Sequence, residues 1–446
     1  MIVNRHELER FHSDSISRLT LSAFETAIQT VKPEPLVKRA VKVKSSQLIL
    51  RDIHDNVRRF ARFQNVYVVG AGKAAAGMAQ GLYSVLDRKV TAGAITVPYG
   101  TKTEIERFYV TQASHPEPDK AGIKGTKKIL SILKKTDEND LVFVLISGGG
   151  SALMPLPAPG VSLADKQKIT TSLLRSGASI YELNAVRKHL SSIKGGQLLR
   201  YVNESCKVIS LILSDVMGDD LAVVASGPTC PDSSTFLDAL RILKKYHIET
   251  PARATRFISN GVEGKIPETP KPYGREFLQV HNMLIGNNAM ACKAATYYLK
   301  KQGVNAVYLG SEFGGEAKEF GAYLAQVASR IRRKRIAIVA GGETTVRLDK
   351  HRNGIGGRNQ EAALACLARL AREDIVIGCI GTDGIDGNSD AAGALISPKT
   401  ITLARKMNLQ KHLDMHDSYH ALKKLHSLIF TGYTGTNVND VSICMS

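Results

Sequence analysis

Apolar runs that end in glycine recur along this chain, and a helical pattern follows most of them. In five places the glycines stand beside lysine, serine or carboxylate side chains, namely in 66–74, 141–151, 209–220, 336–345 and 375–387. Alternating strands and helices predict mostly parallel sheets that are covered by helices on both faces. Because ligands bind beyond the carboxyl ends of parallel strands, these clusters predict a phosphate and metal site at the sheet edges.

Length divides the chain into more than one domain. Its 446 residues, 43% of them hydrophobic and 23% charged, exceed what a single core of about 300 residues supports. We predict two three-layer α/β/α domains, an N-terminal Rossmann-like one at 1–255 and a C-terminal one at 277–446. Between them, 256–276 is polar and proline-rich, which indicates a linker.

The formal net charge of +19 makes nucleic acid a candidate partner. However, the basic residues are spread over the chain, and no zinc-finger or RNP motif accompanies them. The densest basic run, 330–335, follows a helical pattern, where cations complement the helix dipole. We therefore expect a bias toward anionic small molecules and no nucleic-acid partner.

Cysteine spacing and hydropathy predict a cytoplasmic location. The six cysteines show no CxxC spacing and mostly lie in apolar runs, as reduced core residues do. No stretch of eighteen apolar residues predicts a membrane span, and the N-terminus lacks the apolar core of a secretory signal. The basic residues there fit a mitochondrial transit peptide poorly, because Glu7, Glu9 and Asp14 lie among them.

The first cluster contains Gly70, Gly72 and Lys73 at the junction between a strand and an alanine-rich helix. Its spacing differs from the dinucleotide fingerprint by one residue and from the P-loop by more. Glycine turns and helix N-termini nevertheless bind anions through backbone N–H groups, and Lys73 would add charge. A tight turn with a surface lysine is the other interpretation.

The second cluster places three consecutive glycines after an apolar strand, in Ser147-Gly148-Gly149-Gly150-Ser151. Such a run is costly unless positive φ or close approach requires it. A backbone cradle for phosphate or carboxylate explains it better than a flexible turn.

A capping box, Ser179 to Glu182, predicts the start of a helix that we extend over 180–200. This stretch presents Asn184 and several cations. We expect most of these cations to be solvated, and we select Lys194 as a site residue because two glycines follow it.

Carboxylates crowd three strand ends: Asp215 in the first half, and Glu343, Asp383 and Asp386 in the second. Like charges at short distance are unfavourable unless a cation offsets them. The spacing is not that of an EF-hand, whereas Mg²⁺ held by one or two carboxylates and substrate phosphates fits. Asx-type turns explain the aspartates of 215–220 or those of 383–386 alone, but not both clusters together with Glu343. Arg358, in the first turn of a helix where cations are disfavoured, indicates a nearby anion.

These motifs together resemble the class II glycerate kinases, a family that includes glycerate 2-kinases and carries a C-terminal MOFRL module. The matching segments lie in family order over nearly the whole chain: GAGKA at 70–74, SHP at 114–116, SGGGS at 147–151, NAVRKHLS at 184–191, KGG at 194–196, LSDV at 213–216, ASGPT at 225–229, GGET at 341–344, GGRNQE at 356–361, GTDGIDG at 381–387 and TGTNVND at 434–440.

The resemblance implies a two-domain α/β fold with the active site in the interdomain cleft. It also implies phosphorylation of D-glycerate by ATP, with the family favouring the 2-hydroxyl, and functional weight on Lys73, Asp215 and Arg358. We expect D-glycerate and ATP as the partners, no membrane partner, and leave a homodimer open.

In the kinase that this sequence predicts, Lys73 and Lys194 hold phosphate oxygens, and Asp215 orients or deprotonates the acceptor hydroxyl. Arg358 grips the glycerate carboxylate or the transferred group. Glu343, Asp383 and Asp386 are the candidate Mg²⁺ ligands, since phosphoryl transfer depends on positioning and charge neutralisation.

Two other functions fit parts of the sequence. A nicotinamide-dependent hydroxypyruvate or hydroxy-acid reductase would need an acidic residue about twenty positions after the first glycines, at a strand end. Asp87 lies near that distance but precedes the next strand. A nucleotide-binding sensor without catalysis would not need the full set of charged residues.

Overall fold

The structure is a computed structural model that describes residues 1–45, 47–331, 333–348 and 354–446. The chain forms two compact units. We call Pro33–Gly286 the central unit, and Met1–Lys32 together with Asn287–Ser446 the terminal unit.

Both units alternate strands with helices. The helices are α1 (Arg5–His12), α2 (Ser15–Thr30), α3 (Pro33–Ala40), α4 (Ala75–Leu86), α5 (Lys120–Leu133), α6 (Gly150–Leu153), α7 (Leu163–Arg175), α8 (Ile180–His189), α9 (Phe236–Lys245), α10 (Ala252–Val262), α11 (Asn288–Lys301), α12 (Ala317–Arg330), α13 (Arg358–Arg369), α14 (Pro398–Ala404), α15 (Leu409–Asp414) and α16 (Ser418–Lys424). The strands are β1 (Val41–Lys44), β2 (Gln47–Arg51), β3 (Val57–Phe60), β4 (Val66–Ala71), β5 (Val90–Pro98), β6 (Phe108–Ala113), β7 (Leu141–Ser147), β8 (Lys207–Leu213), β9 (Val280–Gly286), β10 (Asn305–Phe313), β11 (Ile336–Gly342), β12 (Val376–Gly381), β13 (Gly393–Ile396), β14 (Leu428–Ile429) and β15 (Asp440–Met445).

The central unit is built on a six-stranded parallel sheet in the order β6-β5-β4-β7-β8-β9. Every residue of β4 and β7 is buried, as expected for strands covered on both faces. The predicted parallel α/β architecture is thus confirmed here. A small antiparallel sheet, β1-β2-β3, was not predicted from the sequence.

The terminal unit contains a mixed sheet in the order β10-β11-β15-β12-β13-β14. Only β10 and β11 pair in parallel, and the strands β15 and β13 pair antiparallel with their neighbours. The expectation of mostly parallel pairing is therefore wrong for this sheet. The reason is β15, which enters the middle of the sheet from a loop and needs no crossover helix.

The compact units divide the chain differently from the predicted domains. The segment 256–276 overlaps α10, and β9, which the sequence assigned to the second domain, pairs with β8. Conversely, α2 belongs to the terminal unit, where Phe24 is fully buried. A Cβ built at Gly378 of β12 would lie 2.5 Å from the Phe24 ring, so glycine makes room for this packing.

The predicted helix over 180–200 ends early, at His189. Beyond it, Ser191 pairs with Pro157 as an isolated bridge, and Gly195 and Gly196 adopt positive φ. The chain therefore turns back along the 155–157 segment instead of continuing as a helix.

The prediction for the cysteines is confirmed, since all six are free and buried. Among the described residues, no helix is long and apolar enough to span a bilayer.

Candidate active site

In the central unit, the candidate residues gather at the carboxyl edge of the parallel sheet. The strands β4, β7 and β8 are neighbours, and their register pairs Ala71 with Ile146 and Ser147 with Leu213. Lys73, the segment 147–151 and Asp215 consequently follow adjacent strand ends, as the sequence predicted. The crevice beyond such ends is where open parallel sheets bind ligands.

The turn after β4 uses its glycines for close packing. A Cβ at Gly70 would lie 2.4 Å from the Leu145 carbonyl oxygen, and one at Gly72 would lie 2.1 Å from Ser147 Oγ. Lys73 N–H donates to the Gly148 carbonyl (2.8 Å) and Ala74 N–H to Ser147 Oγ (3.1 Å). These two donors are thus already engaged, and the Lys73 side chain is what this turn can offer an anion.

The glycines after β7 let neighbouring segments approach one another. Gly149 has a φ of +80°, and a Cβ there would lie 2.9 Å from His115 Cδ2 and 3.3 Å from Lys73 Cγ. A Cβ at Gly150 would lie 2.9 Å from the Ala225 methyl group. The glycine run therefore brings His115, from the SHP motif at 114–116, and Lys73 close to the loop.

Lys194 reaches the same loop from the segment after α8. Its Nζ donates to Ser151 O (2.8 Å) and Ser151 Oγ (2.7 Å), and the residue is only 3% exposed. Burial lowers the Lys194 pKa well below its ordinary value, and the charges of Lys166 and Arg187 lower it further. Lys194, which the sequence predicted as a site residue, thus supplies a buried amino group beside the loop 147–151.

Ser226 and Asn184 complete this wall, although Ser226 was not among the candidates. Ser226 Oγ donates to Asn184 Oδ1 (2.9 Å) and lies 3.2 Å from Ser151 Oγ. Ala225 and Ser226 both have positive φ, 51° and 61°, which is strained for residues with side chains. The ASGPT motif at 225–229 was the signal available in the sequence.

Asp215 lies two residues beyond the end of β8 and is partly exposed. The residue before it is anchored, since Ser214 N–H donates to the Gly286 carbonyl (3.0 Å) and Ser214 Oγ accepts from Val216 N–H (3.2 Å). Asp215 therefore lies on a fixed backbone at the sheet edge.

In the terminal unit, Arg358 joins two strand ends. Its Nε and Nη2 donate to the two carboxylate oxygens of Asp440 (2.6 and 3.1 Å), and Nη1 donates to Glu343 Oε1 (2.8 Å). The register of β11, β15 and β12 pairs Gly342 and Gly381 with Asp440. The anion predicted beside Arg358 is thus present within the protein, and Asp440 was missed although the motif at 434–440 contains it.

Electrostatics in this cluster are dominated by burial. Burial raises the pKa of Asp440 to about 7, and Arg358 and Asn359 counteract it. Burial acts to lower the pKa of Arg358, but Asp440 and Glu343 outweigh it and raise the pKa above its usual range. Arg358 therefore stays charged and holds Asp440 in place.

Asp386 anchors the start of α13. Its oxygens accept from the backbone N–H groups of Asn359 (3.1 Å) and Gln360 (2.9 Å), and also from both side-chain amides. Asp383 is partly exposed, and its Oδ1 accepts from Ile385 N–H (3.3 Å). In the described part of the chain, no three His, Cys, Asp or Glu residues converge as a metal site. Glu343, Asp383 and Asp386 stay candidates for a site in which one or two carboxylates act together with substrate phosphates.

Comparison with known proteins decides the family. Residues 19–259 match the family described as "Domain of unknown function (DUF4147)", and residues 336–440 match the MOFRL family. A glycerate 2-kinase from Pyrococcus horikoshii is 40% identical over 96% of this chain and 97% of that protein. The chain belongs to the glycerate kinase family with a MOFRL module.

Two further comparisons support the same family. A D-glycerate 2-kinase from Thermotoga maritima is 41% identical over 97% of this chain and 99% of that protein. The crystal structure of a glycerate kinase from the same organism matches with a TM-score of 0.82 at 40% identity, covering 96% of this chain and 98% of that chain. The family resemblance seen in the motifs is confirmed.

A relative from Agrobacterium vitis, 39% identical over 84% of this chain and 85% of that protein, is named a putative hydroxypyruvate reductase. The site does not favour a dinucleotide. In that fingerprint an acidic residue follows the second strand, whereas β5 ends at Pro98 and is followed by Tyr99 and Gly100. Asp87 lies before β5, in a short 3₁₀ turn.

Proposed function

We propose that the chain transfers the γ-phosphoryl group of ATP to D-glycerate, with the 2-hydroxyl as acceptor. The observation that carries this proposal is the gathering of Lys73, Lys194 and Asp215 at one edge of a parallel sheet. Two cations suit the oxygens of anionic substrates, and a carboxylate suits the acceptor hydroxyl. The names of relatives that span almost the whole chain support the same reaction.

In this reaction the acceptor oxygen attacks the γ-phosphorus, the bond to the β-phosphate bridging oxygen breaks, and ADP leaves. Asp215 accepts the hydroxyl proton, because a carboxylate is the available base at that strand end. Lys73 offsets negative charge on the transferred group, and Lys194 supplies a second amino group behind the loop 147–151. The rigid loop contributes positioning, which is a large part of catalysis in phosphoryl transfer.

Magnesium fits the residues only in part. Mg²⁺ commonly binds one or two carboxylates together with substrate phosphates, and it would neutralise charge on the phosphates when bound. Asp383 and Glu343 are accessible enough to serve, although Glu343 also pairs with Arg358. Asp386 is fully engaged with the start of α13, and we do not assign it to the metal.

Arg358 retains donors for a ligand. A guanidinium carries five N–H groups, and three of them bind Asp440 and Glu343. The two that remain suit a carboxylate or a phosphoryl oxygen. We therefore assign Arg358 to ligand binding through a side chain that Asp440 holds in one orientation.

The cytoplasmic location and the homodimer stay predictions.

The test is a coupled assay with ATP, Mg²⁺ and D-glycerate, followed by phosphorus NMR of the product. We expect ADP release that depends on D-glycerate and a 2-phosphoglycerate resonance. A parallel incubation with hydroxypyruvate and NADH or NADPH tests the reductase. Oxidation of the nicotinamide without ATP consumption would overturn the proposal, and 3-phosphoglycerate would overturn the 2-hydroxyl assignment.

A further inference from the structure

A cluster of three cations lies behind the glycine loop of the central unit. Lys166 comes from α7, Arg187 from α8, and Lys194 from the segment after α8. Lys166 and Lys194 are 7% and 3% exposed, and Arg187 is partly buried. Each is close enough to another member for its charge to act on that neighbour.

The cluster has no counter-charge among the residues that the structure describes. Lys166 Nζ and Asn184 Nδ2 are buried without a hydrogen-bond partner, and Lys194 donates only to neutral oxygens of Ser151. The neighbouring Lys188 is the contrast, because it is equally buried but pairs with Asp232 at 3.3 Å. Lys188 of α8 thus has a carboxylate partner, whereas the cluster of Lys166, Arg187 and Lys194 has none among the described residues.

Unpaired buried cations are costly, so a protein keeps them where an anion binds or where they lose their protons. Burial lowers the pKa of Lys166 to about 7, with a further contribution from Arg187. The free Asn184 amide adds a neutral donor to the same wall. Buried donors that lack an acceptor, as Lys166 and Asn184 do, or lack a counter-charge, as Lys194 does, suit the binding of a small oxyanion.

The loop 149–151 separates this cluster from Lys73. Lys73 lies beside Gly149 at one end of the loop, and Lys194 binds Ser151 at the other. An acceptor acid carries its carboxylate next to the carbon that bears the hydroxyl. A carboxylate bound in the cluster would therefore place the neighbouring hydroxyl toward the Lys73 end of the loop.

We propose that Lys166, Arg187, Lys194 and Asn184 form a pocket that binds the carboxylate of the acceptor acid. The identity of this acid rests on the proposed function, whereas the pocket itself does not. In this pocket Lys194 binds the acceptor acid, and Lys166 and Arg187 are additional binding residues.

Calorimetric titration without nucleotide tests the pocket directly. D-glycerate, inorganic phosphate and ADP are titrated separately into the parent, Lys166→Met and Arg187→Met. The control is Lys168→Met, on the same helix but exposed and paired with Glu249. We expect the Kd for D-glycerate to rise at least tenfold in the first two variants, with the ADP Kd within twofold and the control unchanged.

Proton uptake gives a readout that a structural role would not produce. The charged groups acting on Lys166 are Arg187 and, through the cluster, Lys194. At pH 8 most Lys166 is neutral, and a bound carboxylate should restore its proton. Titrations in buffers of different ionisation enthalpy should show proton uptake in the parent and less uptake in Lys166→Met, in which Lys194 can still gain a proton.

The titrations distinguish a carboxylate pocket from a phosphate pocket and from a structural role of the cations. Weaker binding of ADP or inorganic phosphate instead of D-glycerate would assign the pocket to phosphate and overturn the carboxylate. Unchanged affinities without proton uptake would make the cations structural. Binding of D-glycerate with proton uptake but no D-glycerate-dependent ATP consumption would leave the pocket standing and refute the proposed function. If Arg187→Met fails to fold, Lys166→Met, which removes a buried cation, still carries the test.

Discussion

At the scale of single residues, two buried lysines differ in whether a carboxylate pairs with them. Lys188 has a buried carboxylate partner, and Lys166 has none among the described residues. The lack of a partner leaves burial to lower the pKa of Lys166 to about 7. It also makes the stability of the protein depend on pH through one side chain.

We expect Lys166→Met to stabilise the protein most at low pH. The Lys166 pKa falls from 10.5 to about 7 on folding, so the folded state disfavours the charged form. The free-energy cost of burying the charged Lys166 is complete below about pH 7 and disappears as pH rises through 10.5. By the usual conversion it is on the order of 5 kcal/mol.

Urea denaturation at pH 6.5, 8.5 and 10, in buffers without carboxylate or phosphate, measures this effect. The free energy of unfolding of the variant should exceed that of the parent at pH 6.5, and the difference should shrink toward pH 10. A difference that is the same at every pH would show that Lys166 does not titrate in this range.

Lys73→Ala should reduce turnover by about 100-fold or more, as loss of one charge-stabilising donor typically does. The melting temperature should change little, since alanine keeps the backbone bond to Gly148. Turnover with ATP and D-glycerate and a melting curve are measured together, with exposed Lys124→Ala as the control. Near-parental turnover would remove Lys73 from the site.

At the scale of elements, α13 shows how one loop side chain starts a helix. Its N-cap is Gly357, which offers no side chain, and a Cβ there would lie 2.3 Å from Asp386. Asp386 approaches through this gap and binds the first N–H groups, which no residue of the helix itself can bind. The glycine is thus required by space, since its φ of −159° is open to any residue.

Two substitutions separate this capping from metal binding. Asp386→Ala should lower the free energy of unfolding by about 3 kcal/mol, because buried N–H groups lose their acceptor. The Mg²⁺ concentration for half-maximal turnover should stay unchanged in the folded fraction. Asp383→Asn should raise that concentration with little loss of stability. The reverse pattern would assign Asp386 to the metal and Asp383 to turn structure.

At the scale of the whole molecule, the N-terminal helices belong with the C-terminal half of the chain. Phe24 of α2 packs at Gly378 of β12, and Thr436 Oγ1 donates to the Val31 carbonyl (2.6 Å). The central unit is thus an uninterrupted segment, whereas the terminal unit is assembled from both ends.

Phe24→Ala should destabilise the terminal unit by about 3–5 kcal/mol, the usual range for a buried Phe. Phe143→Ala, at an equally buried position in β7, is the matched variant for the central unit. Hydrogen exchange followed by mass spectrometry should show faster exchange in β12 and β15 for Phe24→Ala, and in β4 and β8 for Phe143→Ala. Faster exchange in β4 for Phe24→Ala would favour the predicted domain 1–255.

Sequence alone determined the features that depend on local chemistry. The apolar runs predict β4 and β7, and the capping box at Ser179 predicts the start of α8, because period and capping are encoded within each element. The family motifs also place Lys73 and Asp215 near strand ends, and parallel strands bring their carboxyl ends to one edge.

Tertiary structure alone decided the partners of each charge. Nothing local distinguishes Lys166 without a counter-ion from Lys188 beside Asp232, or shows that Asp386 caps α13. The insertion of β15 between β11 and β12, which gives Arg358 its partner Asp440, is equally invisible in the segment itself. Such outcomes depend on residues distant in the sequence, because burial and pairing are set by whatever packs against a side chain rather than by its neighbours along the chain.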